Sequence, residues 1–174
     1  MTSDGRELHP IRFEVIRNAL VAATDEMAAT LRRSAYSTNV KTRADFSCSF
    51  FDAELRVVAQ AFTQPVHLGS LVELVPRAVR TFGVDRLEPR DMLVTNDPYG
   101  GGVHLNDITV IAPVHDRSEV VGYLATLAHH VDVGGGAPMA TWAIAIPSSF
   151  SSPCRSLRRR SPVRSRTRRL ACTA

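Results

Sequence analysis

Between residues 10 and 35, apolar Phe13, Ile16, Leu20, Ala23, Met27 and Leu31 recur at spacings of three and four. That period predicts one long amphipathic helix with this stripe in the core. Pro10 suits its first turn, and Arg32 and Arg33 its last, where positive charge meets the negative end of the helix dipole. In DFSCSFFDAELRVVAQ the period changes to two: Phe46, Cys48 and Phe50 alternate with Ser47 and Ser49, and a turn at Asp52-Ala53-Glu54 leads into Leu55 to Ala59. A β-hairpin follows from this alternation. Residues 68–82 return to helical spacing, with Ser70 as the expected N-cap and Gly83 as the stop; Pro76 implies an irregular first turn or a late start. Three short runs rich in β-branched residues, 92–96, 108–114 and 120–128, predict strands, the last two joined by a turn at residues 115–118.

The resulting order, helix, hairpin, helix and three strands, predicts an α+β fold with helices packed on an antiparallel or mixed β-sheet. No repeat is visible, and no P-loop follows a strand. Gly100-Gly101-Gly102 lacks the Lys-Ser/Thr that a nucleoside triphosphate site requires. In 174 residues, 44% hydrophobic and 22% charged, no apolar run is long enough for a membrane helix and no secretory signal opens the chain, so a cytoplasmic location is expected. Cys48, Cys154 and Cys172 are too widely spaced for a zinc knuckle or a disulfide framework.

Charge divides the chain. The net charge is +4, yet residues 1–150 carry 13 basic and 17 acidic groups, and eight arginines fall between Arg155 and Arg169. A mildly acidic body with a basic Ser/Arg-rich tail makes nucleic acid an unlikely partner of the body.

Candidate chemistry concentrates at two places. The string NDPYGGGVHLND, residues 96–107, sets Asp97, His104 and Asp107 beside three glycines between two predicted strands. His104-x-x-Asp107 allows an imidazole and a carboxylate to meet on one cation, with zinc, manganese or ferrous iron as suitable ions. The strand ending at Ala128 then delivers His129-His130-Val131-Asp132 against the glycines 134–136. Adjacent side chains in an extended segment face opposite ways, so either His129 or His130, but not both, can join the set. If 108–114 and 120–128 pair as a hairpin, its open end brings residues 107 and 129 together. Two imidazoles and one carboxylate leave positions open for water or substrate. The plainer reading has these histidines donating to backbone carbonyls at loop ends. Elsewhere, His67 is read as a packed side chain, Asp45 as half of a surface ion pair with Lys41 or Arg43, and Cys48 as a buried, inert thiol.

FEVIRNAL at 13–20, DFSCSFFDAELRVVAQ, PVHLGS at 65–70, NDPYGGGVHLNDIT at 96–109 and AHHVDVGG at 128–135 together resemble the N-terminal part of the hydantoinase B/oxoprolinase family. The resemblance implies a subunit of an ATP-dependent hydrolase that opens cyclic amides such as hydantoins or 5-oxoproline, or of a related ATP-dependent ketone carboxylase. It implies a hydantoinase A-type ATPase partner that carries the ATP, a small-molecule substrate, and a divalent metal on His104, Asp107 and His129. Asp97 and His130 then become groups that orient the ligands or face the substrate. The resemblance also implies a longer chain, of which residues 1–140 are the N-terminal part. Residues 141–174 contain no acidic group and resemble an out-of-frame translation of GC-rich sequence. On this reading the tail is disordered or out of frame, and the chain is a truncated product; the alternative is an inactive protein whose arginine-rich arm binds acidic partners.

Overall fold

The computed structural model describes residues 9–131, 155–158 and 171–172. Helix α1, Pro10–Ser34, is followed by a short helix α2, Thr38–Lys41, which the hydrophobic pattern does not announce. Strands β1, Phe46–Asp52, and β2, Val57–Gln60, form the expected hairpin, and helix α3 spans Pro65–Phe82. Strands β3, Asp91–Thr95, β4, Asp107–Asp116, and β5, Glu119–His129, complete the main sheet. Two short strands from the basic tail, β6, Arg155–Arg158, and β7, Ala171–Cys172, extend its edge. The order is β2-β1-β5-β4-β3-β6-β7, and every pairing is antiparallel. The glycines 134–136 and the rest of the tail lie outside the described residues.

Two apolar clusters sandwich β1. On one face, α3 contributes Leu71, Leu74, Val75, Ala78, Val79 and Phe82 to a core shared with Phe51, Leu93, Ile111, Tyr123, Ala125 and Leu127. On the other, Ala28 of α1 and Val40 of α2 cover Phe46, Cys48 and Ala61. Ser47 and Ser49, polar in the period-two pattern, are therefore buried as well. The Ser47 hydroxyl donates to Gln64 O at 3.1 Å and accepts from the Thr63 hydroxyl at 3.0 Å.

Three expectations need correction. Phe13 and Ile16 are 53% and 49% exposed, whereas Thr24 and Ala28 are the buried positions of α1. The 25-residue helix is roughly 37 Å long at 1.5 Å per residue, more than the β1–β2 edge it crosses can cover, so its first half overhangs. Helix α3 starts at Pro65, not near Ser70; Ser70 lies inside and its hydroxyl donates to His67 O at 2.9 Å. Pro76 interrupts nothing, because the carbonyl it leaves without an amide partner, that of Val72, lies on the exposed side of the helix. Asp45 makes no pair with Lys41 or Arg43 among the described contacts; its Oδ1 meets Nε2 of His67 at 2.9 Å.

Cys48 is fully buried, and desolvation pushes its thiol from 9.0 up to about 12. The folded chain thus holds this proton where the unfolded chain loses it, so stability should fall as pH rises from about 9 toward about 12. At neutral pH, peptide mapping after iodoacetamide treatment should find Cys48 unlabelled in the native protein and labelled in guanidinium. Labelling at equal rates in both would contradict the burial.

Candidate metal centre

The loop from β3 to β4 is shaped by its own polar groups before it presents any. Asp97 Oδ1 accepts from Tyr99 N at 2.9 Å and so caps a single 3₁₀ turn at Pro98–Gly100. Gly101 follows at φ +106°, and its Cα lies so close to α3 that an added Cβ would stand 2.8 Å from Leu74 N. Only glycine meets both demands. Arg77 of α3 donates to Tyr99 O at 3.0 Å, and Asn96 Nδ2 to Leu105 O at 3.0 Å. The loop is thereby held on α3 from outside and closed across its base.

A turn ends it, with Asp107 N donating to His104 O at 3.1 Å and His104 N to Asp107 Oδ2 at 2.9 Å. This turn makes the three-residue spacing converge. The Nδ1 of His104 lies 3.1 Å from Asp107 Oδ2, and the Nδ1 of His129, directly opposite Asp107 in the β4–β5 register, lies 2.7 Å from Oδ1. The two rings meet edge to face at 5.4 Å between centroids. The Asp107 side chain is 0% exposed, His129 12% and His104 58%, so the group is sealed on the sheet side and open through His104. A buried carboxylate persists only when donors or cations compensate it. Here two imidazoles and an amide do so.

Each residue offers one ligand atom, and these three atoms lie within 4.8 Å of one another. Among the described residues, this is the group of His, Cys, Asp and Glu side chains with metal-ligand spacing. Of the two histidines left open by the strand argument, His129 faces Asp107. His130 is displaced from the group and exposed, its imidazole pKa lowered chiefly by partial burial and further by His129, with Asp107 opposing. The Asp97 carboxylate is engaged within its own loop.

Residues without an assigned role in the sequence pattern hold the centre together. Asn106, buried, donates through Nδ2 to His130 O at 2.8 Å while its carbonyl accepts from His130 N at 2.9 Å. That single residue clips the start of β4 to the end of β5. The signal was present in HLND, where a buried amide stands beside the carboxylate, but its partners lie 24 residues away.

Comparison with known proteins identifies the surroundings of this centre. The family model described as hydantoinase B/oxoprolinase matches residues 9–144. 5-Oxoprolinase 1 of Arabidopsis thaliana is 40% identical over 128 residues, 74% of this chain and 10% of that protein. Caprolactamase subunit beta of Pseudomonas jessenii is 33% identical over 129 residues, 74% of this chain and 22% of the subunit. The crystal structure of the ATP-dependent caprolactamase from the same organism superposes with a TM-score of 0.70 at 30% identity, covering 82% of this chain and 26% of that one. A nucleotide-free acetone carboxylase structure gives the same TM-score at 21% identity, covering 80% and 19%, a likeness of fold. The chain spans about a tenth to a quarter of the length of the curated relatives it matches. No helix among the described residues is long and apolar enough to cross a membrane. With a family match over residues 9–144, more than half of its length, the chain belongs to the hydantoinase B/oxoprolinase family.

Proposed function

We propose that this chain contributes the metal-binding portion of an ATP-dependent hydrolase that opens cyclic amides, with His104, Asp107 and His129 holding a divalent cation. Support comes from family membership together with the names of two relatives, a 5-oxoprolinase and a caprolactamase, whose substrates are both lactams. The single observation that carries the reading is the fully buried Asp107 carboxylate set between two imidazoles, one of them open to solvent.

The donor set fits such an ion. Two nitrogens and one oxygen suit zinc, manganese or ferrous iron and leave coordination positions for water or substrate. The chemistry a bound cation supplies here is Lewis acidity toward a carbonyl or water. The chain's own residues do the rest: Asp107 aligns both rings through their Nδ1 atoms, and Asn106 fixes the two segments that carry them. In this reading His130, exposed beside His129, is a substrate-facing group, and Asp97 acts through the loop it caps. On this reading ATP binds on a hydantoinase A-type partner subunit, as the resemblance to the family implies. A soluble, cytoplasmic complex is the setting this reading requires.

Elemental analysis of the purified chain should find about one divalent ion per molecule, and His104→Ala should lose it, as expected when one of three ligands is removed. Unchanged stoichiometry in the variant would reject the ligand assignment. With an A-type partner added, lactam-dependent ATP hydrolysis should be present in the parent and absent from His104→Ala.

A further inference from the structure

Strand β4 is apolar on both faces. Ile111 belongs to the core under α3, and strand alternation turns Ile108, Val110, Ala112 and Val114 to the opposite side. An antiparallel sheet with one face in water carries polar residues at its outward positions. Here those positions are apolar, so both faces are built for burial.

The register shows how far the second face extends. Phe46, Ala128 and Ile108 form one row across β1, β5 and β4, and Phe50, Leu124 and Ala112 form another. Between them, Cys48, Thr126, Val110 and Val94 run from β1 across to β3. These rows begin in a covered core, because Phe46 and Cys48 are buried with Ala28 and Val40. Helix α1, however, packs on β1 and β2. Farther along the rows, Leu124, Thr126, Ile108, Val110, Ala112 and Val94 are half-buried and belong to neither core. None of the six carries a charge, and Thr126 brings their one hydroxyl.

Three strands about 4.8 Å apart, over seven residues of about 3.3 Å each, give this face a footprint of roughly 300 Å². Contiguous apolar patches of a few hundred Å² mark interaction surfaces. On the same side of the sheet, the overhanging half of α1 continues its stripe through the exposed Phe13 and Ile16. About ten residues of helix, 1.5 Å each in rise and about 10 Å across, add roughly 150 Å². The sum lies below the roughly 600 Å² per partner at which small stable interfaces begin, as expected of a weak, concentration-dependent contact.

We propose that the open face of β3, β4 and β5 is the interface of a weak homodimer of this chain, two copies stacking sheet on sheet. A second copy supplies what the face requires. Its surface is equally free of charge, so nothing repels across the contact and no ion is desolvated. Its sheet has the same twist by construction, and sheets of matching twist stack about 10 Å apart with their side chains interdigitated. A two-fold axis then sets the same patch of each copy against the other. The dimer is independent of the cation centre, which lies at the end of β5 on the opposite face of the sheet.

Sedimentation velocity of the full chain from about 5 to about 500 µM, the span over which a weak dimer equilibrates, should show the mass rise from 19.0 kDa toward twice that value. An apolar contact should hold or strengthen in 1 M salt, whereas association through the arginine-rich tail would dissolve. Val110→Lys, which sets an unpaired charge at the middle of the contact, should stay monomeric over the whole range while keeping the parent's circular dichroism. If that variant fails to fold, Val110→Thr decides the matter: it keeps the branched shape, and one buried hydroxyl per copy should weaken association about 10-fold. A parent that is monomeric at every concentration would overturn the proposal and leave the face to a different polypeptide segment. So would a dimer that salt dissociates, or one whose affinity is unchanged in folded Val110→Lys or Val110→Thr protein.

Discussion

Replacing Asp107 by alanine is expected to abolish cation binding and to lower unfolding free energy by about 2–4 kcal/mol, the scale of two buried hydrogen-bond partners left unpaired. The carboxylate accepts from the His104 amide and lies within hydrogen-bond distance of both imidazole Nδ1 atoms. Most of the cost falls on the His104 amide and on His129, because His104's ring is exposed enough to turn toward water. Asp107→Asn, nearly isosteric, separates the two effects. It keeps one acceptor oxygen but turns a donor toward one of the imidazoles, so cation binding should still be lost while the urea midpoint moves less than in the alanine variant. Equal metal content in Asp107→Asn and the parent would remove this carboxylate from the centre.

Gly101→Ala should destabilise the chain by about 2–4 kcal/mol, combining left-handed strain for a non-glycine residue with an overpacked contact. The added methyl would meet Leu74 N at 2.8 Å, Leu74 Cα at 3.1 Å and Glu73 C at 3.2 Å, all backbone of a packed helix that cannot step aside. The loop must therefore lift from α3, carrying His104 with it, and cation affinity should fall with stability. Gly69→Ala supplies the control, since nothing lies within 4 Å of its added Cβ. In the interior of α3 that substitution should be neutral or stabilise by about 0.5–1 kcal/mol. Denaturant unfolding of both variants tests the contrast, and a mild Gly101→Ala would show that the loop does not depend on its close seat.

Strands β1 to β5 and their order of appearance were legible because a period-two run and short β-branched runs, bounded by Gly, Pro, Asp and Ser, leave few alternatives, whereas β6 and β7 in the basic tail were not. The open end of the β4–β5 hairpin could even be used to bring residues 107 and 129 together, and their register does so. Helix α1 was legible as a helix but not as a packed one: periodicity reports which face is apolar, not whether anything covers it, and Phe13 and Ile16 are largely exposed. The pattern also assigned one polar face to β1, where a second helix buries Ser47 and Ser49. Asp45 was misplaced for a related reason. Nearby Lys41 and Arg43 suggested a local pair, while the partner it found, His67, comes from a helix 22 residues on.

The sequence by itself determined the family, the helical and extended segments, and the short-range geometry of His104 and Asp107, because those depend on residues within a turn or a strand of one another. Tertiary structure alone decided which of the two histidines faces Asp107, how deeply that carboxylate is buried, that Asn106 joins the two segments, and that Asp45 meets His67. These follow from strand register and from the seating of α3 on the sheet. Register turns every other side chain to one face, so a shift of one residue would exchange His129 for His130. Such a choice is made by packing across the whole sheet, and no local stretch of the chain encodes it.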